Sequence, residues 1–277
     1  MLSNKLDKSV RLGSLLLLVM LAGYIADNNE QPILSNVNFW VIGGVFAVSI
    51  SQSILAGIRW SAFTGRVMSL TTLIEALKFN ASCYIANFLP LPGAMLLRTA
   101  NLKFSLKQKK SAAKGFWYTG VNTVVCLIPM ILLAIATHEP FLALLLLFLF
   151  LSGLLCSVTI ARKIEITLPI SVSQIALEAL NVIIQSIKFT ILLFAIGHNL
   201  SESYVMSLLA SSTGIVVAVS SFLPGGGLGA QELASYALAE QILGQHASSL
   251  VLILVISRLV TIATNIFIIL LPGTSQH

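Results

Sequence analysis

Seven charged side chains sit inside apolar stretches of this sequence: Glu75, Lys78, Arg98, Glu178, Lys188, Glu232 and Arg258. A charge at the centre of a bilayer costs at least about 2.5–3.5 kcal/mol, so each must face a partner or water. Arg98 and Arg258 offer forked donors that match phosphate oxygens. Glu232 is placed to hold those arginines or to grip a cationic group. Gln174, Glu178, Asn181, Gln185 and Lys188 step by 4, 3, 4 and 3, which draws one polar stripe along a helix. At about 1.5 Å of rise per residue the stripe covers about 21 Å, most of the hydrocarbon thickness. Thr71, Glu75, Lys78 and Ser82 repeat the pattern, as do Arg258, Thr261 and Asn265. Such faces avoid lipid and suit the lining of a shared hydrophilic path. The competing role for each charge is a structural ion pair: Glu75 with Lys78 on the same helix face, and Arg98 with Glu232 as a buried bridge. Glu178 and Lys188 lie about three turns apart, so each needs another partner.

A backbone break adds a second kind of chemistry. FLPGGGLGAQE at 222–232 holds Pro224, Gly225, Gly226, Gly227 and Gly229 ahead of Glu232. A glycine break opening a helix frees backbone N–H groups, and helix N-termini attract anions. The glycines also permit close approach of backbone or ligand.

The elements that must carry these residues are set by composition. The chain is 57% hydrophobic and 9% charged, with a mean hydropathy of +0.94, where a soluble domain carries about a quarter charged residues. These values predict an all-α integral membrane protein, one transmembrane domain over 1–277. About six spanning helices are expected, at 11–27, 38–59, 115–136, 140–159, 168–197 and 247–271. The segments 71–104 and 203–243 each break at a Pro/Gly cluster, near Pro90 and Pro224. Irregular backbone at membrane depth must be buried in protein or line a wet cavity. Both segments are therefore expected to be re-entrant helical hairpins, with two full helices joined by a turn as the alternative.

Charge orients the chain. Lys5, Lys8, Arg11, Arg59, Arg66, Lys103, Lys107, Lys109, Lys110, Lys114, Arg162 and Lys163 fall in loops or at helix ends of one side in this topology. Asp27, Glu30, Glu139 and Glu202 fall on the other. The positive-inside rule then places both termini in the cytoplasm, and the expected location is the plasma (inner) membrane. The net charge of +6 is explained by this distribution, and no nucleic-acid partner is expected.

Phe88-Leu89-Pro90 recurs as Phe222-Leu223-Pro224, an offset of 134 that also carries Arg98 onto Glu232. Three spans separate the hairpins, and an odd number makes them enter from opposite faces. The expectation is an inverted repeat, with half-repeats at about 38–136 and 168–271, an architecture of transporters.

The run Pro224-Gly225-Gly226-Gly227-Leu228-Gly229-Ala230-Gln231-Glu232 resembles a signature of the flippase-like membrane domain of lysylphosphatidylglycerol synthases and their free-standing relatives, the UPF0104 family. Asn87, Pro90 and Arg98 fit the first-hairpin motif of that family. Leu91, Pro92, Ala94 and Met95 depart from it where the family has glycine, arginine, glycine and glutamate. The resemblance implies translocation of an anionic lipid or lipid-linked headgroup between leaflets. A membrane lipid or polyprenyl-linked lipid is then the ligand, and an enzyme making that lipid is an expected partner. The chain ends at His277 just past its last span, so aminoacyl transfer is expected to lie elsewhere.

Enzymatic function finds no motif: no nucleophile elbow, HExxH or paired aspartates occur. No cofactor is expected. Cys83, Cys126 and Cys156 stand singly, read as ordinary buried residues. His138, His198 and His246 are scattered on the predicted outer side, and no metal is expected. The alternatives to a flippase are a secondary transporter or exporter of a small solute, which inverted repeats also serve, and a non-transporting assembly subunit. The topology makes a direct prediction. In a background free of native cysteines, a cysteine replacing Asn28 will label from outside and one replacing Gln108 only from inside. The reverse pattern overturns the orientation.

Overall fold

The computed structural model describes residues 39–67, 69–86, 93–104, 110–213, 237 and 247–271. The expected first span at 11–27 lies outside them. Every regular element among the described residues is a helix: α1 Phe39–Thr64, α2 Leu70–Ala86, α3 Gly93–Phe104, α4 Ser111–Val125, α5 Leu127–Ala136, α6 Pro140–Lys163, α7 Leu168–Ala195, α8 Leu200–Ser212 and α9 Ala247–Leu270. Among the described residues, five segments are long and apolar enough to cross a membrane: Trp40–Thr64, Ser111–Ala136, Pro140–Lys163, Leu168–Ala195 and Ile253–Leu270.

The segment Ser111–Ala136 is not one continuous helix. It is interrupted at Cys126, which caps α4 and opens α5. Pro129 explains the break, because it has no N–H to offer the Val125 carbonyl one turn earlier. Tight left-handed turns join the following helices: His138 at φ 59, Glu165 at φ 65 and Gly197 at φ 100. Connections this short make α5, α6 and α7 run alternately up and down. Asn199 then caps α8, its side chain accepting from the Glu202 N–H at 2.9 Å.

Helix α6 presents most of its surface outward. Phe141, Leu144, Phe148, Leu151 and Leu155 are all exposed on it, an apolar face that suits lipid rather than water. Cys156 is exposed on the same helix and Cys126 is half-buried, so the expectation of burial holds for Cys83 but not for them.

The central pair is α1 with α7, and they pack antiparallel. Arg59 meets Gln174, Gln52 meets Asn181, and Val45 joins Phe189, Leu192 and Leu193. Contacts that descend α1 thus ascend α7. Around this pair, α1 packs on α2 and α9, while α7 packs on α8 and α4. Helix α2 packs on α9, and α8 on α5.

Two larger apolar cores result, beside a small cluster of Ile85 and Ile262 between α2 and α9. One gathers Trp60, Phe63, Trp117 and Tyr118 with Ala161, Ile164 and Val182. The rings of Trp60 and Phe79 stack at 4.9 Å, and those of Trp60 and Tyr118 meet edge-on at 5.2 Å. The other core gathers Val45, Phe189, Leu192, Met206, Leu209, Leu250 and Ile253. Between them, midway along α1 and α7, the side chains turn polar.

The arms α2 and α3 meet where one ends and the other begins. A Cβ on Gly93 would lie 2.3 Å from the Ala86 carbonyl oxygen, so glycine alone fits the start of α3. The residues between these helices, 87–92, lie outside the described set. So does most of the segment 203–243 beyond α8.

The pairing expected of Glu75 and Lys78 does not occur. Glu75 takes Arg66 from the preceding turn at 3.3 Å. Lys78 instead donates to the Leu271 carbonyl at the end of α9. One helical turn brought Glu75 and Lys78 within reach, but partners from other segments claim both.

Candidate functional site

Arg59 organises the centre of the molecule. The sequence expectation placed it at a helix end among the surface cations. In the structure α1 continues to Thr64, and Arg59 is buried. Its Nη1 pairs with Glu178 Oε2 of α7. Nε donates to Gln174 Oε1 at 3.0 Å, and Nη2 donates to the Tyr118 carbonyl at 3.1 Å and to Asn122 Oδ1 at 2.8 Å. Gln174 returns a bond through Nε2 to the Arg59 carbonyl at 2.9 Å. A buried guanidinium needs such a complete set, because each unmet donor costs the desolvation of a charged group. The network ties α1, α4 and α7 together. It also supplies the partner that Glu178 requires.

Above this network lies a cavity of about 350 Å³. Its wall includes Arg98, Glu178, Asn181, Gln185, Lys188 and Arg258, all singled out in the sequence. Thr261 and Asn265 of α9 join them. Pro90, Pro224, Gly225, Gly226, Gly227, Gly229 and Glu232 lie outside the described residues, and with them the pairing of Arg98 with Glu232.

Three cations therefore share one wall. Arg98 comes from α3, Lys188 from α7 and Arg258 from α9. Arg98 Nη1 donates to Thr119 Oγ1 at 3.5 Å, and its guanidinium lies 5.1 Å from the Tyr118 ring centroid. Arg59 lies over the same ring at 4.3 Å. Tyr118 thus couples the structural arginine to the cavity arginine through cation–π contacts. Lys188 is buried and donates to Thr261 Oγ1 at 3.2 Å. Among the described residues, neither Arg98 nor Lys188 has a carboxylate within ion-pair distance. Glu178 is the one carboxylate on the described wall, and Arg59 already neutralises it.

Several wall residues were not singled out by sequence. Gln52, Ser49 and Ser53 come from α1, Asn80 and Tyr84 from α2, and Asn122 from α4. The α2 face turned to the cavity is thus Asn80 and Tyr84, not the expected stripe through Thr71, Glu75, Lys78 and Ser82. On α1, Ser49, Gln52, Ala56 and Arg59 recur every three or four residues, the same signal that marked α7. Ser49 Oγ and Arg98 Nε are buried without a hydrogen-bond partner among the described residues.

No group of histidine, cysteine or carboxylate side chains suited to a metal occurs among the described residues. His198 lies 3.7 Å from Glu202 on the next turn. No protein-family model, no curated protein and no solved structure matches this chain, so its function is argued from the cavity itself.

The Arg59 network makes a stability prediction. Removing one partner of a buried pair typically costs about 3–5 kcal/mol, whereas replacing both by apolar groups is far milder. Arg59→Met and Glu178→Leu should each lower the unfolding temperature of the purified protein, and the double variant should recover most of the loss. Equal losses that simply add in the double variant would refute the coupling.

Proposed function

We propose that this chain translocates an anionic lipid or lipid-linked headgroup between membrane leaflets. The observation that carries the proposal is the charge of the cavity. Arg98, Lys188 and Arg258 share its wall, and the wall carboxylate Glu178 is already held by Arg59. Such a surface favours an anion, and the two guanidiniums suit phosphate in particular. A headgroup resists crossing because its charge must leave water. A polar groove at mid-depth replaces part of that hydration while the acyl or prenyl tail stays in lipid.

The proposal includes an inverted repeat. The offset of 134 that superposes the two Phe-Leu-Pro runs carries α1 onto α7, α2 onto α8, and the α4–α5 segment onto α9. Packing follows the same correspondence. The contact of α1 with α2 is matched by α7 with α8, α1 with α9 by α7 with α4, and α2 with α9 by α8 with α5. The antiparallel crossing of α1 and α7 is what inversion requires.

Re-entrant hairpins belong to the same proposal. At about 1.5 Å per residue, α2 and α3 are about 25 and 18 Å long, short of a hydrocarbon core of about 30 Å. Their contact at Gly93 fits a turn at depth. Movement of the two hairpins would open the groove to each leaflet in turn, with the glycine run 225–229 and Glu232 on the second one. The resemblance carried by 224–232 points to the same activity. Lys110 and Glu165 pair at one end of the bundle, where Arg66, Arg162 and Lys163 also gather, and this supports a cytoplasmic placement of that end in the inner membrane.

The test is lipid movement in proteoliposomes. With acyl-labelled fluorescent phosphatidylglycerol, an added membrane-impermeant quencher should bleach well beyond the outer-leaflet half. Arg258→Ala and Arg98→Ala, inserted normally, should slow that phase at least tenfold. If they move lipid at the unmodified rate, the groove is not the path. A solute carrier or an assembly subunit then becomes the better account.

A further inference from the structure

We infer that Tyr118 and Gly115 of α4 are positioning residues for the cavity arginine: together they seat Arg98 so that its guanidinium is already placed when a headgroup phosphate arrives. The inference rests on the proposed anion site for what Arg98 binds. Its own content is the seat on α4.

Helix α3 has 12 residues, Gly93–Phe104, and packs on α2 and α4. A helix this short is held by its neighbours rather than by its own length. Three contacts with α4 fix the stretch that carries Arg98. Gly115 lies against Thr99, so close that a Cβ there would come 3.1 Å from Thr99 Oγ1. Arg98 Nη1 donates to Thr119 Oγ1 at 3.5 Å. The Arg98 guanidinium lies 5.1 Å from the Tyr118 ring centroid. Gly115, Tyr118, Thr119 and Asn122 recur at helical spacing on one face of α4. Thr119 and Asn122 line the cavity, so the seat leads along that face into the wall.

The contacts differ in weight. At 3.5 Å the Thr119 bond is long. Its geometry is nevertheless directed, because the Thr119 hydroxyl spends its proton on the Gly115 carbonyl at 3.1 Å and turns lone pairs to Arg98. The ring contact lies inside the range of about 6 Å over which a guanidinium is attracted to an aromatic face, and burial of Tyr118 strengthens it. The ring is itself held: Trp60 meets it edge-on at 5.2 Å, and Phe63 lies tilted at 4.9 Å. Arg59 touches the same ring at 4.3 Å and donates to the Tyr118 carbonyl at 3.1 Å. The network that ties α1 to α4 therefore also steadies the platform under Arg98.

Such a seat matters to binding. An arginine that closes on a ligand loses side-chain freedom, and one already laid on a ring has less to lose. It also holds the planar fork in a fixed attitude, which bidentate pairing with phosphate requires.

The experiment reads the concentration of lysophosphatidylglycerol that half-saturates the thermal stabilisation of the full chain in neutral detergent. Tyr118→Phe keeps the ring and should bind within twofold of the unmodified protein. Tyr118→Leu should need at least tenfold more lipid. In an Arg98→Gln background the same Tyr118→Leu change should weaken binding less than twofold, because a seat matters only when its occupant is present. A loss of equal size with and without Arg98 means that the ring only fills the core, and it overturns the inference. Unweakened binding by Tyr118→Leu, or no binding by the unmodified protein, overturns it too. If Tyr118→Leu does not fold, Gly115→Ala reads the seat from its other end. It should weaken binding severalfold by crowding Thr99, and adding Thr99→Ala should restore binding by removing the crowded atom. Binding that is unchanged in Gly115→Ala, or unrestored in the double variant, overturns the inference. If every variant behaves as stated while proteoliposomes move no phosphatidylglycerol, the seat stands and translocation falls.

Discussion

A guanidinium sealed among helices must find every one of its partners in protein, and the arrangement of this molecule follows from that demand. Arg59 draws Glu178 and Gln174 from α7, and the Tyr118 carbonyl and Asn122 from α4. These bonds fix where α1 crosses α7 and hold α4 against both. They also consume the carboxylate of Glu178. On the described wall of the cavity Arg98 and Lys188 remain, neither with a carboxylate within ion-pair distance among the described residues. The structural pair and the candidate ligand site are therefore one electrostatic design: the first neutralises itself, and so leaves the second cationic.

Packing places that site between two unlike cores. An aromatic cluster around Trp60, Phe63 and Tyr118 closes one side, and an aliphatic cluster around Leu192, Met206 and Leu209 closes the other. Along α1 the sequence passes from Val45 through Ser49, Gln52 and Ser53 to Trp60. Each apolar end packs in its own cluster, and α1 and α7 run continuously through both. Tyr118 belongs to both worlds, since its ring packs in the aromatic cluster and touches the guanidinium faces of Arg59 and Arg98.

Much of this was legible in the sequence where a period could be read. The stripe through Gln185 and Lys188 lies along a single helix, so the spacing put those two on one face, and the helix packing brings Arg258 and Asn265 to the same wall. Arg59 was misplaced because a hydropathy window treats a charge as the end of a span, whereas a paired charge lets the helix continue to Thr64. Glu75 was misassigned because neighbours on a helix are visible in sequence and partners from a turn are not. The break at Cys126 had its signal in Pro129, which spacing within an apolar run does not weigh. Asn80 and Asn122 carry no mark that separates a cavity amide from any other. Their role comes only from the helices that surround them.

The central claim is that the cavity binds an anionic headgroup through Arg98, Lys188 and Arg258. Ligand binding to the folded state raises its stability in proportion to the logarithm of ligand over Kd, about 2.7 kcal/mol at a hundredfold excess. The most direct measurement is the unfolding temperature of the purified protein in neutral detergent, titrated with lysophosphatidylglycerol and, separately, lysophosphatidylcholine. The account predicts a rise of several degrees with the anionic lipid, little change with the zwitterion, and no rise in a variant carrying Arg98→Gln, Lys188→Gln and Arg258→Gln. Equal stabilisation by both lipids, or a rise that survives in the triple variant, would contradict it.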